Sequence, residues 1–233
     1  MMTTVVRQPE SAAPAKPPGL TRRIGQELSA WTEHIVGSVP GSTGVRLRTA
    51  YYRRKLRHLG ANPIIETGMQ IAAAERISIG DHFYALRNCF FAAPYGGTIE
   101  LGDYVSLAAN VVLNAGDHGV IRVGNRSGIA NNCLLRTSQH RYDDPTRPFK
   151  TQGHRSGTII IEQDVWVTAN CVLLPGTYLE RGCIVCPGSV VSGRIKAFTI
   201  VAGNPPRVIG RRGEPGASDV AQGSPDLCAV SST

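Results

Sequence analysis

The C-terminal half of the chain places an aliphatic residue at every sixth position. From residue 161 the blocks read IEQDVW, VTANCV, LLPGTY, LERGCI, VCPGSV and VSGRIK. A period of six fits neither an α-helix, at 3.6 residues per turn, nor a half-buried strand, at two. It predicts a β-solenoid in which each hexad forms a short strand and a turn, and three hexads complete one triangular coil. The residues expected to point into the prism are Ile161, Val167, Leu173, Leu179, Val185 and Val191.

The same pattern extends upstream in triplets of hexads that begin at residues 79, 101 and 123. The triplets therefore repeat every 22 residues, with a four-residue spacer after each. Glycine, asparagine and aspartate recur where the corners should fall, and these residues tolerate the dihedral angles of tight turns. The fold class predicted is all-β, with the solenoid spanning residues 61–203.

The cysteines of the repeats occupy the fifth place of a hexad, where the pattern favours small or β-branched side chains. We therefore expect them to be core residues. One CxxC pair, Cys183 and Cys186, has no second pair, so neither zinc binding nor redox chemistry is expected. Free thiols indicate a reducing compartment, and the predicted location is the cytoplasm. The residues at the fifth place are Cys89, Cys133, Cys171 and Cys183.

Two histidines end the third hexad of consecutive coils. His118 and His140 are 22 residues apart, so we expect them to stack at one edge of the prism. The hexads then stop over residues 141–160, and long ordered excursions are usually functional. A neutral imidazole can accept a hydroxyl proton near pH 7, which makes His140 the predicted general base and His118 a supporting residue. The histidines expected to be structural or exposed are His34, His58, His82 and His154.

The flanking segments differ from the coils in composition. Residues 1–20 are predicted to be a disordered lead-in, without the apolar core of an export signal. Residues 21–60 are predicted to be helical, because apolar residues recur at helical spacing from Ile24 to Ile35, and to cap the open first coil. Residues 204–233 form a predicted tail, disordered after about residue 213. No apolar run approaches the length of a membrane span.

The net charge of +8 indicates an anionic partner, and the 42% hydrophobic and 18% charged content is typical of a globular protein. Basic residues cluster in RLRTAYYRRKLRH, residues 46–58. This cluster fits a solvated helical face, or a peripheral contact with anionic lipid at the inner face of the cytoplasmic membrane, or a phosphate-bearing substrate. No nucleic-acid-binding motif accompanies it, so nucleic acid is not an expected partner.

Three segments resemble the hexapeptide-repeat acyltransferases, which are left-handed parallel β-helices, and in particular the maltose, galactoside and exopolysaccharide O-acetyltransferases. SQHRYDDPTRPF resembles the catalytic-histidine loop of the colanic-acid-type enzymes. DVWVTANCVLLPGTYLERGCIVCPGSVV resembles the final coils, and VAGNPPRVIGRR resembles the closing motif. These segments lie between residues 138 and 212, and the resemblance as a whole covers about residues 60–212. The left hand of the helix is implied by this resemblance.

The resemblance also implies a homotrimer in which acetyl-CoA, the acyl donor, lies between two neighbouring solenoids. His140 would then deprotonate the acceptor. A thioester is already activated, so this chemistry requires no metal. The cofactor contacts implied are Trp166, Ala169, Pro187, Ser192, Arg207 and Arg211. The acceptor-side contacts implied are Asn110, Asp117 and His118.

The function predicted is transfer of an acetyl group to a sugar hydroxyl during surface polysaccharide biosynthesis, on a small or lipid-linked acceptor. An N-acetyltransferase acting on an amino sugar is an alternative, because the same base serves an amine. A non-catalytic solenoid scaffold is another. A γ-type carbonic anhydrase is disfavoured, because it needs three histidines on zinc, whereas His82 and His118 occupy different hexad places.

Overall fold

The computed structural model describes residues 20–215. Two α-helices, α1 (Leu20–Ser38) and α2 (Gly41–Lys55), precede a long series of short strands. Short 3-10 turns lie at Ala74–Arg76 and Phe149–Thr151. In chain order the strands are β1 (His58–Leu59), β2 (Ile64–Ile65), β3 (Gln70–Ala72), β4 (Ile77–Ile79), β5 (Tyr84–Ala85), β6 (Phe90–Ala92), β7 (Thr98–Leu101), β8 (Ser106–Leu107), β9 (Val112–Asn114), β10 (Val120–Val123), β11 (Gly128–Ile129), β12 (Leu134–Arg136), β13 (Ser138–His140), β14 (His154–Ser156), β15 (Thr158–Ile161), β16 (Trp166–Val167), β17 (Val172–Leu173), β18 (Tyr178–Leu179), β19 (Ile184–Val185), β20 (Val190–Val191), β21 (Arg194–Ile195), β22 (Thr199–Ala202) and β23 (Arg207–Arg211).

Apart from the β13–β14 pair, the strands form three sheets that make the sides of a triangular prism, and all strands in them are parallel except β23. Sheet 1 has the order β1-β4-β7-β10-β15-β18-β21, sheet 2 the order β2-β5-β8-β11-β16-β19-β22-β23, and sheet 3 the order β20-β17-β12-β9-β6-β3. Successive strands of the chain visit the three sheets in turn, so each triplet is one coil. The repeat keeps strict register: Ile121 pairs with Ile99 below it and Ile159 above it. The predicted left-handed parallel β-helix with two N-terminal helices is confirmed.

The hexad pattern fixes what the prism buries. The aliphatic openings from Ile161 to Val191 are at most 1% exposed, and the cysteines at the fifth place are buried beside them. Corner residues adopt left-handed backbone angles, which asparagine tolerates better than most residues. Asn110, Asn132 and Asn170 all have φ near 60°. Their side-chain amides form a ladder along one edge, with N···O distances of 2.9 and 3.1 Å.

The first coil is closed by the two helices, as an open solenoid end requires. Arg48 is fully buried and donates to three backbone carbonyls, those of Ile65 (2.8 Å), Val39 (2.6 Å) and Val36 (3.2 Å). Because Val36 lies near the end of α1, one side chain ties both helices to the first coil. The Tyr52 hydroxyl adds a bond of 2.7 Å to the Met69 carbonyl.

The excursion from the coils lies at residues 138–156, rather than at the predicted 141–160. The difference arises because residues 158–160 already belong to β15, where Ile159 is fully buried and paired with Ile121. At the other end, Ser138 already pairs outside the prism. The chain closes the last coil by folding β23 antiparallel onto β22 at the edge of sheet 2.

Candidate active site

A β-hairpin replaces a corner of the prism between sheets 3 and 1. In the preceding coil the three residues Gly116–His118 turn this corner, whereas here β13 and β14 run outward as an antiparallel pair. The exit and return of the chain are joined by a bond of 2.8 Å from the Gly157 amide to the Thr137 carbonyl. The hairpin is therefore an insertion that leaves the stacking of the coils intact.

The tip of the hairpin is held by its own polar contacts. The Gln152 amide group donates to the carbonyls of Asp144 (2.8 Å) and Arg147 (2.9 Å), and its oxygen accepts from the Asp144 amide (3.0 Å). The Asp144 carboxylate in turn accepts from the Thr146 amide at 2.9 Å. These bonds place Phe149 over the base of the hairpin, where its ring meets the ring of His140 edge-on at 5.2 Å.

The hairpin brings two histidines together. His140 and His154 are directly opposite each other in the antiparallel pair, and their ring centroids are 4.2 Å apart. Asp117 approaches from the corner below, with its Oδ2 atom 3.4 Å from His154 Nδ1. This distance is long, and the geometry does not make a hydrogen bond. The Nδ1 atoms of both histidines are buried without a hydrogen-bond partner.

The surroundings favour the neutral form of His140. Burial lowers the pKa of this imidazole from its usual value, and electrostatic repulsion by His154, Arg136 and Lys150 lowers it further, against the opposing charge of Asp117. A base must be neutral to accept a proton, so a lowered pKa keeps His140 competent to somewhat lower pH. Since Nδ1 is enclosed, Nε2 is the ring nitrogen that can meet a substrate.

Asp117 reaches the histidines because the corner adopts an unusual backbone. Asp117 and His118 are consecutive residues with φ of 51° and 59°, a conformation that directs the Asp117 carboxylate inward, where it is buried. The Thr137 hydroxyl supports the turn by donating to the Gly116 carbonyl at 3.1 Å. The family resemblance implied Asp117 as an acceptor-side contact, and in the structure it lies beside His154, the neighbour of the candidate base.

The expected stacking of His118 on His140 is not present. The pairing of Asn114 with Ala92 sets the register of this corner, so His118 lies over Gly96. A methyl group added to Gly96 would come within 2.3 Å of His118 Nδ1, which shows how closely the ring covers that position. His140 instead leaves the prism along the hairpin, because the inserted residues break the 22-residue register. His118 is exposed, whereas Asp117 beside it is buried.

His154 was expected to be structural or exposed, and its place beside His140 was missed. It lies in a segment without apolar periodicity, so no hexad position identified it. The signal available was polar symmetry around a turn: SQH and HRS flank a Pro- and Gly-containing segment, which is typical of a hairpin whose ends face each other.

Asn110 lies at a different edge of the prism from His140. It turns the corner between sheets 2 and 3, and its side chain donates to Asn132. Within one chain it therefore belongs to the asparagine ladder and is not brought to the hairpin. Asp117 and His118, by contrast, share the corner between sheets 3 and 1 with the hairpin.

The six predicted cofactor contacts fall on three surfaces. Ala169 and Pro187 lie in successive coils at the corner between sheets 2 and 3, where the Gly188 amide donates to the Ala169 carbonyl at 3.1 Å. Ser192 is exposed at the corner between sheets 3 and 1. The remaining three line sheet 2: Trp166 is 47% exposed on β16, and Arg207 and Arg211 are exposed on its edge strand β23.

The described residues hold neither a metal-binding cluster nor a hairpin contribution to the cleft beside the N-terminal helices. Across residues 20–215, no group of three or more His, Cys, Asp or Glu side chains is arranged to hold a metal ion. A cleft of about 470 Å³ lies between α1 and the first coils, where Glu33, His34, Met69 and Phe90 contribute to its wall. It contains no hairpin residue, so the chemistry-bearing side chains are elsewhere.

Segments of the chain match known acetyltransferases. Rv3034c of Mycobacterium tuberculosis, a probable acetyltransferase, is 37% identical over 73 residues, 31% of this chain and 24% of that protein. WbbJ of Escherichia coli, assigned to lipopolysaccharide biosynthesis as an O-acetyl transferase, is 37% identical over 65 residues, 28% of this chain and 33% of that protein. A Staphylococcus aureus 2,3,4,5-tetrahydropyridine-2,6-dicarboxylate N-acetyltransferase is 43% identical over 56 residues, 24% of this chain and 23% of that protein. The chain thus spans a quarter to a third of the length of these relatives, and no protein-family profile matches it.

Solved structures share the fold over most of the chain. AntD, an N-acyltransferase from Bacillus cereus in complex with dTDP and coenzyme A, has a TM-score of 0.61 at 20% identity, covering 74% of this chain and 93% of AntD. A maltose O-acetyltransferase from Clostridium difficile has a TM-score of 0.56 at 21% identity, covering 84% of this chain and 90% of the other. The chain therefore has the β-helix fold of these structures, and segments of it are similar to known acetyltransferases.

Proposed function

We propose that the chain transfers an acetyl group from acetyl-CoA to a sugar hydroxyl, with His140 as the general base. The observation that carries this proposal is the hairpin itself. It interrupts an otherwise regular solenoid to hold an imidazole with a lowered pKa at the edge of the prism, with Nε2 available to a substrate. A scaffold would gain nothing from this arrangement, because the preceding coil turns the same corner with three residues.

The reaction needs little more than a base and correct placement. Nε2 of His140 accepts the proton of the acceptor hydroxyl as the oxygen attacks the thioester carbonyl, which forms the new C–O bond. The C–S bond then breaks, and the proton passes from His140 to the departing thiolate of CoA. Charge is balanced at each step by one proton that moves to His140 and away again, so no metal is required.

Acetyl-CoA as the donor is supported by fold relatives that bind CoA or acetyl-CoA, among them the Bacillus cereus N-acyltransferase and a Vibrio cholerae acetyltransferase. On this chain the exposed indole of Trp166 offers an apolar surface to the pantetheine arm, and Arg207 and Arg211 offer positive charge to the phosphates. Ala169 and Pro187 would line the arm through backbone groups at their shared corner, with Ser192 contributing a hydroxyl.

We further propose that the working unit is a homotrimer. The support is the separation of the predicted contacts within one chain: Ala169 and Pro187 lie at one edge of the prism, whereas His140 and Ser192 lie at another. A second solenoid packed alongside would bring the corner of one chain to the hairpin of its neighbour, and the acceptor contacts would then include Asn110 from one chain with Asp117 and His118 from the other. Three such grooves follow from a three-fold arrangement.

The acceptor class rests on the relatives. WbbJ is assigned to lipopolysaccharide biosynthesis as an O-acetyl transferase, and the Clostridium difficile structure is that of a maltose O-acetyltransferase. We therefore favour a sugar hydroxyl in a surface polysaccharide or in its lipid-linked precursor, handled in the cytoplasm.

A peripheral membrane contact would suit a lipid-linked acceptor. Residues 20–215 contain no helix able to cross a bilayer. However, Leu28, Trp31 and Ile35 of α1 are each about 60% exposed on one helical face, and the adjoining end of α2 carries Arg53 and Arg54. Apolar and cationic side chains together favour an anionic lipid surface.

A second candidate is N-acetylation of an amino sugar. The observation in its favour is the fold relative AntD, an N-acyltransferase solved with dTDP-4-amino-4,6-dideoxyglucose and coenzyme A. The same base would serve an amine, so the geometry of the site does not distinguish O-acetylation from N-acetylation. Treatment of the product with hydroxylamine does, because hydroxylamine cleaves an ester and leaves an amide intact.

The test is release of free CoA thiol from acetyl-CoA in the presence of sugars, amino sugars and their nucleotide-linked forms, with products analysed by mass spectrometry before and after hydroxylamine. We expect hydroxylamine-sensitive products, and His140→Ala should lower turnover by about 10²- to 10⁴-fold while CoA binding persists. His58→Gln, which changes an exposed strand histidine, is the matched control. Equal turnover in His140→Ala and the native chain would rule out the base, and failure to bind CoA would rule out the function.

A further inference from the structure

The mechanism above uses His140 and leaves two neighbouring groups unexplained. His154 and Asp117 are both largely buried, with side chains 18% and 11% exposed. Burying an imidazole nitrogen and a carboxylate without a complete hydrogen bond costs free energy, and such exceptions in a folded protein usually have a functional cause. Among the side chains that the structure describes, the buried nitrogen and oxygen atoms without a hydrogen-bond partner are Nδ1 of His140 and Nδ1 of His154.

We propose that His154, held by Asp117, is a positioning residue that sets the orientation and the protonation state of His140. This proposal rests on the proposed function, since it assigns these two residues a role toward its base. It does not make His154 or Asp117 a contact of the reacting atoms. Its foundation is the alignment of three side chains from three elements: β13, β14 and the corner before β10.

Orientation follows from packing. The His140 ring is confined on one side by the tilted ring of His154, with planes 38° apart, and on another by the edge of Phe149. No hydrogen bond fixes Nδ1 of His140, which is the usual means of orienting a catalytic imidazole. In this chain the two neighbouring rings therefore take over the task of directing Nε2 outward.

Control of protonation follows from charge. Two imidazoles 4.2 Å apart cannot both carry a proton without strong repulsion, so the pair favours a single positive charge. Asp117 acts in the opposite sense, because its negative charge favours a proton on His140. The other charged groups that act on His140 are Arg136 at the end of β12 and Lys150 at the hairpin tip, and both oppose its protonation.

The same arrangement helps during the reaction. When His140 takes the acceptor proton it becomes cationic, and Asp117 supplies the negative charge that acts on it most closely from within the chain. The carboxylate thus offsets the charge that forms at the moment of attack. His154 keeps His140 neutral before the step, and Asp117 limits the cost of its protonation during the step.

Substitution of His154 and substitution of Asp117 should shift the pKa of His140 in opposite directions. In His154→Gln the repulsion is lost, the pKa of His140 rises, and the acid limb of the kcat/KM profile should move to higher pH. In Asp117→Asn the attraction is lost, the pKa of His140 falls, and the limb should move to lower pH. Asparagine also tolerates the left-handed backbone at this position, so the turn is preserved. Both variants should lose about tenfold or more in kcat, because the ring of His140 is less well oriented.

The decisive measurement is an NMR titration of the His140 imidazole in the full chain, in the native protein, His154→Gln, Asp117→Asn and the control His58→Gln. The expected result is an upward shift of the His140 titration in His154→Gln, a downward shift in Asp117→Asn, and none in His58→Gln. Shifts of the same sign, or no shift in either variant, would overturn the proposal. Because no substrate is needed, these outcomes stand even if the acyltransferase assay fails, and the two failures are thereby distinguished.

Discussion

The coils and the hairpin treat buried polar atoms in opposite ways. In the coils, each buried hydroxyl group is hydrogen-bonded to a backbone carbonyl. Thr177 Oγ1 lies 2.7 Å from the Leu174 carbonyl and 2.9 Å from the Val191 carbonyl, and Ser189 Oγ donates to the Cys186 carbonyl at 2.7 Å. At the base of the hairpin, two buried imidazole nitrogens have no partner. A repeating coil can hydrogen-bond its buried polar groups because the coil stacked beside it has the same backbone geometry. The hairpin has no equivalent coil stacked beside it, and such a departure from the local rule is typical of a functional site.

The largest expected effect comes from removing the hairpin altogether. Asn114 pairs with Arg136 and Val120 with Thr158, so residues 116–118 and 138–156 connect equivalent positions of successive coils. Replacing residues 138–156 by the sequence Gly-Asp-His should give a regular solenoid without a catalytic base. We expect turnover to fall by at least about 10²-fold, because general-base catalysis is lost. The measurements are acetyl-CoA turnover and thermal unfolding followed by circular dichroism.

The unfolding temperature should change by only a few degrees in this variant, since the hairpin contributes few core residues. A collapse of the β-helix signal would contradict the view that the hairpin is an insertion on an independent framework. The point variant His140→Gln is the companion measurement, because it removes the base and keeps the hairpin.

A second prediction concerns Arg48, a buried charge whose hydrogen bonds the fold satisfies. Arg48→Met fills a similar volume but removes the donors to the carbonyls of Ile65, Val39 and Val36. Those acceptors are left without partners, so we expect a loss of about 1–3 kcal/mol in the free energy of unfolding. Arg46→Met, at an exposed position of the same helix, is the matched control and should change it by less than about 0.5 kcal/mol. Denaturant unfolding measures both, and equal losses would mean that Arg48 acts through its charge alone.

The contrast between regions also explains what could be predicted from the sequence. The hexad openings from Ile161 to Val191 predicted the triangular prism, because every coil needs an aliphatic side chain at the same interior position. Their burial confirms the prediction. His140 could be singled out because it lies where the repeat stops. His154 could not, because its position depends on the length and pairing of a hairpin that has no period. Asp117 was expected as an acceptor-side contact, but its approach to His154 could not be predicted, because it depends on the turn of a different coil.

The smallest expected effect tests the corner ladder, which is the most regular polar feature of the coils. Asn132 has φ of 59° and lies between Asn110 and Asn170 in the ladder. Asn132→Ala places a poorly suited residue in the left-handed region and removes two hydrogen bonds, so we expect a loss of about 1–2 kcal/mol in unfolding free energy. Asn132→Gly restores the backbone freedom and removes only the bonds. If the ladder matters, glycine should lie between alanine and the native residue in denaturant unfolding. If glycine equals the native residue, the ladder contributes nothing and the backbone angle alone explains asparagine at this corner.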